Sequence, residues 1–321
     1  MLLTVLSVAS PKSKIVNKFS SPNCCDQLGY RESVVISYAQ NLEDVVLFRL
    51  TRFVDRGFYV DVGAAHPVIH NVTYALYQAG WHGINIEPMK PEAEMLMSLR
   101  PRDITINAAA GAVPGVIRLF AAPLENRGAT TFDPEIVKRH VAQGQEFEPF
   151  ESRVITVSSL IREHEIEAIH ILKIDVEGAE RDVLLGSDLS ELRPWVVVVE
   201  STRPNTTEDV SHEWIDLLGT NGYVLCLFDG LNKFFVRGDL TDIQHVMRVP
   251  ANVFDDYQLH EVVQARETLA QISNFAKESE IEAAKFAHSQ RERAERAEEY
   301  ATSLEVLLNK STGWVPARDR D

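Results

Sequence analysis

Phe58-Tyr-Val-Asp-Val-Gly-Ala-Ala-His66 is an apolar strand that closes on an acid, Asp61, and a glycine, Gly63. A strand-to-helix turn of this kind lies at the carboxyl edge of a parallel sheet, where the backbone comes close to a bound nucleotide-like ligand. Gly63 permits that approach. Alone the stretch proves little, since any tight turn between strand and helix can use a glycine.

Moving outward, Gly83-Ile-Asn-Ile-Glu87-Pro88 ends the next apolar strand in a carboxylate. An acid there can accept hydrogen bonds from both hydroxyls of a ribose. A dinucleotide enzyme would share that acid but shows G-x-G-x-x-G in its first turn, whereas Gly63-Ala-Ala-His-Pro-Val68 keeps only the first glycine. The phosphate cradle is missing, so a ligand without a pyrophosphate fits better, and S-adenosylmethionine is the common one. A third run, Leu172-Lys-Ile-Asp175-Val-Glu177-Gly178-Ala-Glu180, sets carboxylates directly behind another apolar strand. Acids so close are costly unless a donor, cation or metal answers them. Glu180 reads as a first-turn helix acid favoured by the dipole, while Asp175 and Glu177 read as functional.

Around these runs, strands alternate with helices, the mark of parallel strands joined by crossover helices. An amphipathic helix over Gln40–Leu50 comes first. Strands follow at Phe58–Val62, Gly83–Ile86 and Ile104–Asn107, with helices at Asn71–Ala79 and Pro91–Leu99. A second set has strands at Val116–Phe120 and Val154–Val157, a helix over Ser158–Glu165 capped by Ser158 or Ser159, and a strand at Ile169–Ile174. The helix Ala179–Leu185, the strand Trp195–Glu200 and the helix His212–Thr220 come next. Tyr223–Phe228 and Lys233–Val236, joined through Asp229-Gly230, form an antiparallel hairpin. Asn126–Pro149 is a long insertion that could serve as a lid. The expected class is therefore α/β: a Rossmann-like, mostly parallel sheet with a C-terminal antiparallel hairpin and a long C-terminal helix.

Three segments are expected: a loosely ordered lead-in over 1–36, an α/β domain over 37–255, and a long helix or weak coiled coil with its tail over 256–321. In that tail Leu259, Val262, Leu269, Ile272, Ala276, Ala283, Phe286, Ala297, Leu304 and Leu308 recur at near 3.5-residue intervals, interrupted by Arg266, Ser279 and Gln290. Such a helix could pair two chains as a homodimer.

The 321 residues carry a net charge of -15, which argues against nucleic acid as a partner. Cys24, Cys25 and Cys226 match neither a disulfide framework nor a zinc spacing. A reducing, cytoplasmic setting is expected, because Met1–Ser10 is apolar but has no basic residues before it. No run reaches the roughly 20 apolar residues of a transmembrane helix.

Four pieces together resemble the FkbM-type methyltransferase family: Tyr59-Val-Asp-Val-Gly-Ala-Ala65, Asn85-Ile-Glu-Pro88, Asn107-Ala-Ala-Ala-Gly111 and Lys173-Ile-Asp-Val-Glu-Gly-Ala-Glu180. The resemblance runs from about Ser37 to about Asp255. It implies methyl transfer from S-adenosylmethionine, usually to hydroxyls of sugars or secondary metabolites. Gly80–Pro88 and Phe228–Phe235 further resemble members linked to bacterial surface glycans, which implies a sugar or glycan acceptor and glycosyltransferases as pathway neighbours. Carried over, Asp61, Gly63 and Ala64 line the methionine end of the cofactor. Glu87, with Pro88 beside it, binds the ribose, Asn107 and Ala108 approach the adenine, and Asp175 sits near sulfonium and acceptor. His66-Pro67 departs from the pattern where many methyltransferases have another glycine.

A sugar hydroxyl is a poor nucleophile, so a base within hydrogen-bond reach is useful. Asp175 is the first choice and His66 the second. A divalent metal such as magnesium, held by Asp175, Glu177 or Glu200, could acidify the hydroxyl instead. Competing functions are a non-catalytic scaffold with a vestigial domain and a nicotinamide-dependent sugar oxidoreductase, the latter short of its glycines.

Overall fold

The computed structural model describes residues 34–122, 130–131, 137–138, 141–142, 144, 146–203 and 206–312. The lead-in up to residue 33, with Cys24 and Cys25, lies outside them, as does most of the expected insertion. In chain order the first elements are β1 (Val35–Ser37), α1 (Glu43–Phe48), β2 (Phe58–Val62), α2 (Tyr74–Gln78), β3 (His82–Ile86), α3 (Lys90–Leu99) and β4 (Ile104–Ile106). Then come β5 (Ala109–Ala110), β6 (Gly115–Ala121), β7 (Glu148–Ile155), α4 (Val157–Glu163), β8 (Ile171–Ile174), α5 (Glu180–Leu185), α6 (Leu189–Leu192) and β9 (Val196–Glu200). The chain closes with α7 (Ile215–Thr220), β10 (Tyr223–Phe228), β11 (Asn232–Arg237), α8 (Thr241–Met247), β12 (Tyr257–Leu259) and α9 (His260–Thr312).

The main sheet has the order β10-β11-β9-β8-β2-β3-β4. Its pairs from β9 to β4 are parallel, and β11 is antiparallel to both β9 and β10. This is the expected Rossmann-like α/β class with its antiparallel hairpin. The central strands are apolar throughout because both faces are covered. Along β9, Val197 and Val199 face one core with Leu160 and Ile161 of α4, Val183 of α5 and Leu218 of α7. Val196 and Val198 face the other, with Val46 and Leu47 of α1, Leu76 of α2 and Met247 of α8.

From β2 the chain steps outward through β3 to β4, then returns to β2's other side as β8 and continues to β9. The order therefore reverses between β2 and β8, which makes the carboxyl ends of those strands the switch point where such sheets bind ligands. Gly63 shows how tight the seam is. It has φ +74°, and a Cβ on it would lie 1.8 Å from the Asp175 carbonyl oxygen.

Several elements differ from the sequence reading. β6 and β7 leave the main sheet and form a separate three-stranded sheet in the order β5-β7-β6. The strand placed at Val154–Val157 ends at Ile155, and β7 begins at Glu148, inside the expected insertion. The cap of α4 is neither Ser158 nor Ser159. Thr156 takes that role, its Oγ1 accepting the Ser159 N–H at 3.1 Å. The helix expected over His212–Thr220 is broken at Trp214, which separates a 3-10 turn from α7.

β1 and β12 pair in parallel, a contact with no local signal in the sequence. Beside them Arg49, in the 3-10 turn after α1, grips Asp255 through a bidentate ion pair at 2.9 and 2.7 Å, nearly all of it buried. Beyond that anchor α9 runs in solvent, and its described residues past Val263 are exposed. No helix among the described residues is long and apolar enough to cross a membrane.

Candidate active site

The candidate site is built from the last residues of β2, β3, β8 and β9. Asp61 is fully buried at the end of β2. Its Oδ2 accepts the Thr73 hydroxyl at 2.7 Å, and Lys173 Nζ lies 3.1 Å from its Oδ1. Lys173 also donates to the Gly63 carbonyl at 2.7 Å and stands 3.5 Å from Asp175 Oδ2. Burial works against the Lys173 charge, yet Asp61 and then Asp175 hold the ammonium above the ordinary lysine range. Lys173 was visible in the sequence only as a residue within the third motif. Here it ties the ends of β2 and β8 together.

Glu87 ends β3 with its carboxyl turned under the first loop. Oε2 accepts the Ala65 N–H and Oε1 the Met89 N–H, both at 2.8 Å. Burial pushes its pKa up to about 7, against the pull of those two N–H groups. Asn107 donates to the Glu87 and Pro88 carbonyls at 3.0 and 2.9 Å, and Ala108 is fully buried beside them. Glu87 thus joins the Gly63–Ala65 loop, with its buried Ala64, to Asn107 and Ala108.

His66 is otherwise engaged. Its Nδ1 accepts the N–H groups of Val68 and Ile69 at 3.1 and 2.9 Å. A ring nitrogen that accepts two N–H groups carries no proton, so the proton of the neutral ring sits on Nε2. Burial lowers the His66 pKa and favours that neutral form. The ring can donate through Nε2, and it holds the turn that starts at Pro67. Behind it lies a buried network that the sequence did not announce. Arg100 donates to Asn71, Thr73, Tyr59 and Asp103, at 2.6 to 3.0 Å.

At the ends of β8 and β9 stand Asp175, Glu177 and Glu200. One carboxylate oxygen from each lies within 4.8 Å of the others. Asp175 is the open member, its side chain 39% exposed. Glu177 adopts φ +55°, and its Oε2 is buried without a hydrogen-bond partner. Burial first, then Asp175 and Glu180, raise the Glu177 pKa well above the carboxylate range. Glu200 is pushed up to about 12 by burial and by the charges of Asp175 and Glu177, and it shares a hydrogen bond with Asp175. Glu180 accepts the Gly178 N–H at 3.0 Å, a local structural role.

A second feature adjoins this edge. Glu200 is paired across the sheet with Asn232 of β11, and Leu231 accepts the Ser201 N–H. Just ahead of them Asp229, Gly230 and Leu231, with Gln40 and Asn41, line an open depression of about 360 Å³. Asn232 donates to Glu43 of α1 at 2.7 Å, so α1 both packs on the sheet and flanks the depression.

A family model described as the methyltransferase FkbM domain matches residues 61–225, which takes in all four acid-bearing strand ends. Among solved structures, similarity is found to a TehB-like SAM-dependent methyltransferase from Corynebacterium glutamicum. The identity is 9% and the TM-score 0.33, over 61% of this chain and 87% of that one. No curated protein matches. The family match spans more than half of the chain, from the first site strand to the hairpin, and the chain belongs to the FkbM methyltransferase family.

Proposed function

We propose that the protein is an O-methyltransferase that acts on a hydroxyl of a sugar, glycan or related metabolite, with Asp175 as the base. The observation that carries this reading is the exposed Asp175 carboxylate at the switch point, beside Lys173 and grouped with Glu177 and Glu200. The family implies S-adenosylmethionine, which supplies an activated methyl group on a cationic sulfur. The donor set suits it: an edge rich in acids attracts a cation, and each Glu87 oxygen keeps a lone pair for a ribose hydroxyl after its one backbone bond. Asp61, Gly63 and Ala64 would hold the methionine end, and Asn107 and Ala108 the adenine.

The chain's own task is then to align an acceptor oxygen, exclude water and take up one proton. Asp175 accepts the hydroxyl proton as the oxygen attacks. The depression at Gln40, Asn41 and Asp229 offers amide and carboxylate groups of the kind that bind sugar hydroxyls. Asp175→Asn keeps the size of the side chain and removes its basicity. The expected result is a loss of about 10²- to 10⁴-fold in single-turnover rate, with adenosylhomocysteine affinity and folding retained. Near-normal turnover in that variant would overturn the role. The acceptor class is tested by mass spectrometry: glycans should become lighter by one methylene when the gene is deleted, and an unchanged glycan profile would refute it.

A second reading of the same acids has its own support, the unpartnered Glu177 Oε2 beside Asp175 and Glu200. A divalent cation such as magnesium, held by these three, would acidify the hydroxyl. Turnover that survives a chelator leaves Asp175 acting alone. Turnover lost to the chelator and restored by magnesium assigns the three acids to a metal.

A further inference from the structure

The tail helix α9 is about 80 Å long, and it carries apolar side chains that no other described residue covers. Val262, Leu269, Ile272, Phe286, Tyr300 and Leu307 are between 41% and 68% exposed. They fall on one heptad seam. The first position recurs every seventh residue from Val262 to Leu304, and the second, three residues later, from Ala265 to Leu307. Charged residues such as Glu267, Lys277, Glu278, Glu292 and Glu295 occupy the outer positions. Two such helices would bury the seam, as in a coiled coil.

The order of residues on the seam also selects the direction. Parallel, in-register helices would set each residue against its own copy. Arg293 would face Arg293, and the alanines at 265, 276, 283 and 297 would leave gaps opposite one another. Antiparallel helices centred between Ala283 and Phe286 pair large with small instead. Ala265 then meets Leu304, Ile272 meets Ala297, Ala276 meets Arg293 and Ala283 meets Phe286. The two polar residues Ser279 and Gln290 fall opposite each other, and a slip of seven residues would set Gln290 against Phe286 or Ile272. At the ends, Glu261 of one chain comes beside Lys310 of the other. We propose that α9 joins two copies of this chain in an antiparallel coiled coil in this register, with one catalytic domain at each end.

The test uses the full chain. Light scattering should give the mass of two chains, and the mass of one chain, or of three or more, overturns the proposal. With Cys24, Cys25 and Cys226 replaced by serine, a spin label at Glu267→Cys reports direction. The antiparallel pair places the two labels about 50 Å apart, whereas a separation under about 25 Å means parallel helices and refutes the arrangement. Phe286→Ala should weaken the dimer at least tenfold. Adding Ala283→Phe should restore it, because the large and small partners have only exchanged sides. Failure of that rescue, in a protein that stays helical, rejects the register.

Discussion

At the residue scale, Gly63 and Glu87 carry separate expectations. Gly63 reads from sequence as room for a ligand, but the structure gives it a second cause: the carbonyl of Asp175 occupies the place of a Cβ. Gly63→Ala must therefore move β8 as well as adopt an unfavourable φ. A destabilisation of about 2–4 kcal/mol is expected in denaturant unfolding; a loss below 1 kcal/mol would mean that the seam yields easily. Glu87 has its pKa raised to about 7 in the folded chain. Between the ordinary glutamate value and about 7 the folded state holds a proton that the unfolded chain has released. Stability from this group is therefore complete at low pH and is lost as pH rises through that window. Glu87→Gln should abolish that part of the slope of melting temperature against pH. For binding the direction reverses, since the ionised carboxylate is the better acceptor: wild-type affinity for adenosylhomocysteine should tighten from pH 6 to 8. Glu87→Ala should weaken it by about 1–3 kcal/mol at pH 8, and unchanged calorimetric affinity removes Glu87 from the site.

At the element scale, α4 separates what the sequence can specify from what packing decides. Thr156, Ser158 and Ser159 all offer a capping hydroxyl, and only the burial of Val157 between sheet and helix sets which one faces the first turn. Thr156→Ala should cost about 1 kcal/mol, and Ser159→Ala clearly less, as read by thermal melts of the two variants side by side. The same distinction explains what was legible elsewhere. β2, β3, β8 and β9 could be read because both faces of each are buried, which forces continuous apolar runs, and acids at their ends stand out against that background. β1 and β12 could not, being three residues each and paired across more than 200 residues of chain. The start of β7 was hidden by Pro149, which is tolerated because β5 reaches only Val154 and Ile155, leaving that side of the strand free at 149. Within the site, Asp175, Glu177 and Glu200 were found by their position after apolar runs. Lys173, Thr73 and Arg100 each also hold a partner distant in sequence, Asp61 for the first two and Tyr59 for the third, and no local pattern announces those contacts.

At the scale of the whole molecule, the tail and the catalytic unit have nearly separate energetics. The described site residues fall between Gln40 and Leu231, and both apolar cores are closed by residues no later than Ala251. What ties the start of the tail to the domain is short: the β1–β12 pairing, the Arg49–Asp255 pair and the ring contact of His260 with Tyr38 at 4.6 Å. Past Val263 the helix's described hydrogen bond to the domain is that of Arg266 to Gln258 of β12 at 3.3 Å, and its exposed apolar stripe contributes nothing to the domain's core. A chain ending at Gln264 retains all three ties and loses the seam. It should therefore melt within a few degrees of the full chain at low protein concentration, and its turnover per chain should match. In the full chain, by contrast, the proposed burial of the stripe by a second copy would link melting of the tail to concentration through mass action. Circular dichroism should then show a helical transition that shifts upward with protein concentration in the full chain and is missing in the shortened one. If the shortened chain instead loses turnover while keeping its melting temperature, the tail takes part in catalysis, and the separation of assembly from chemistry fails.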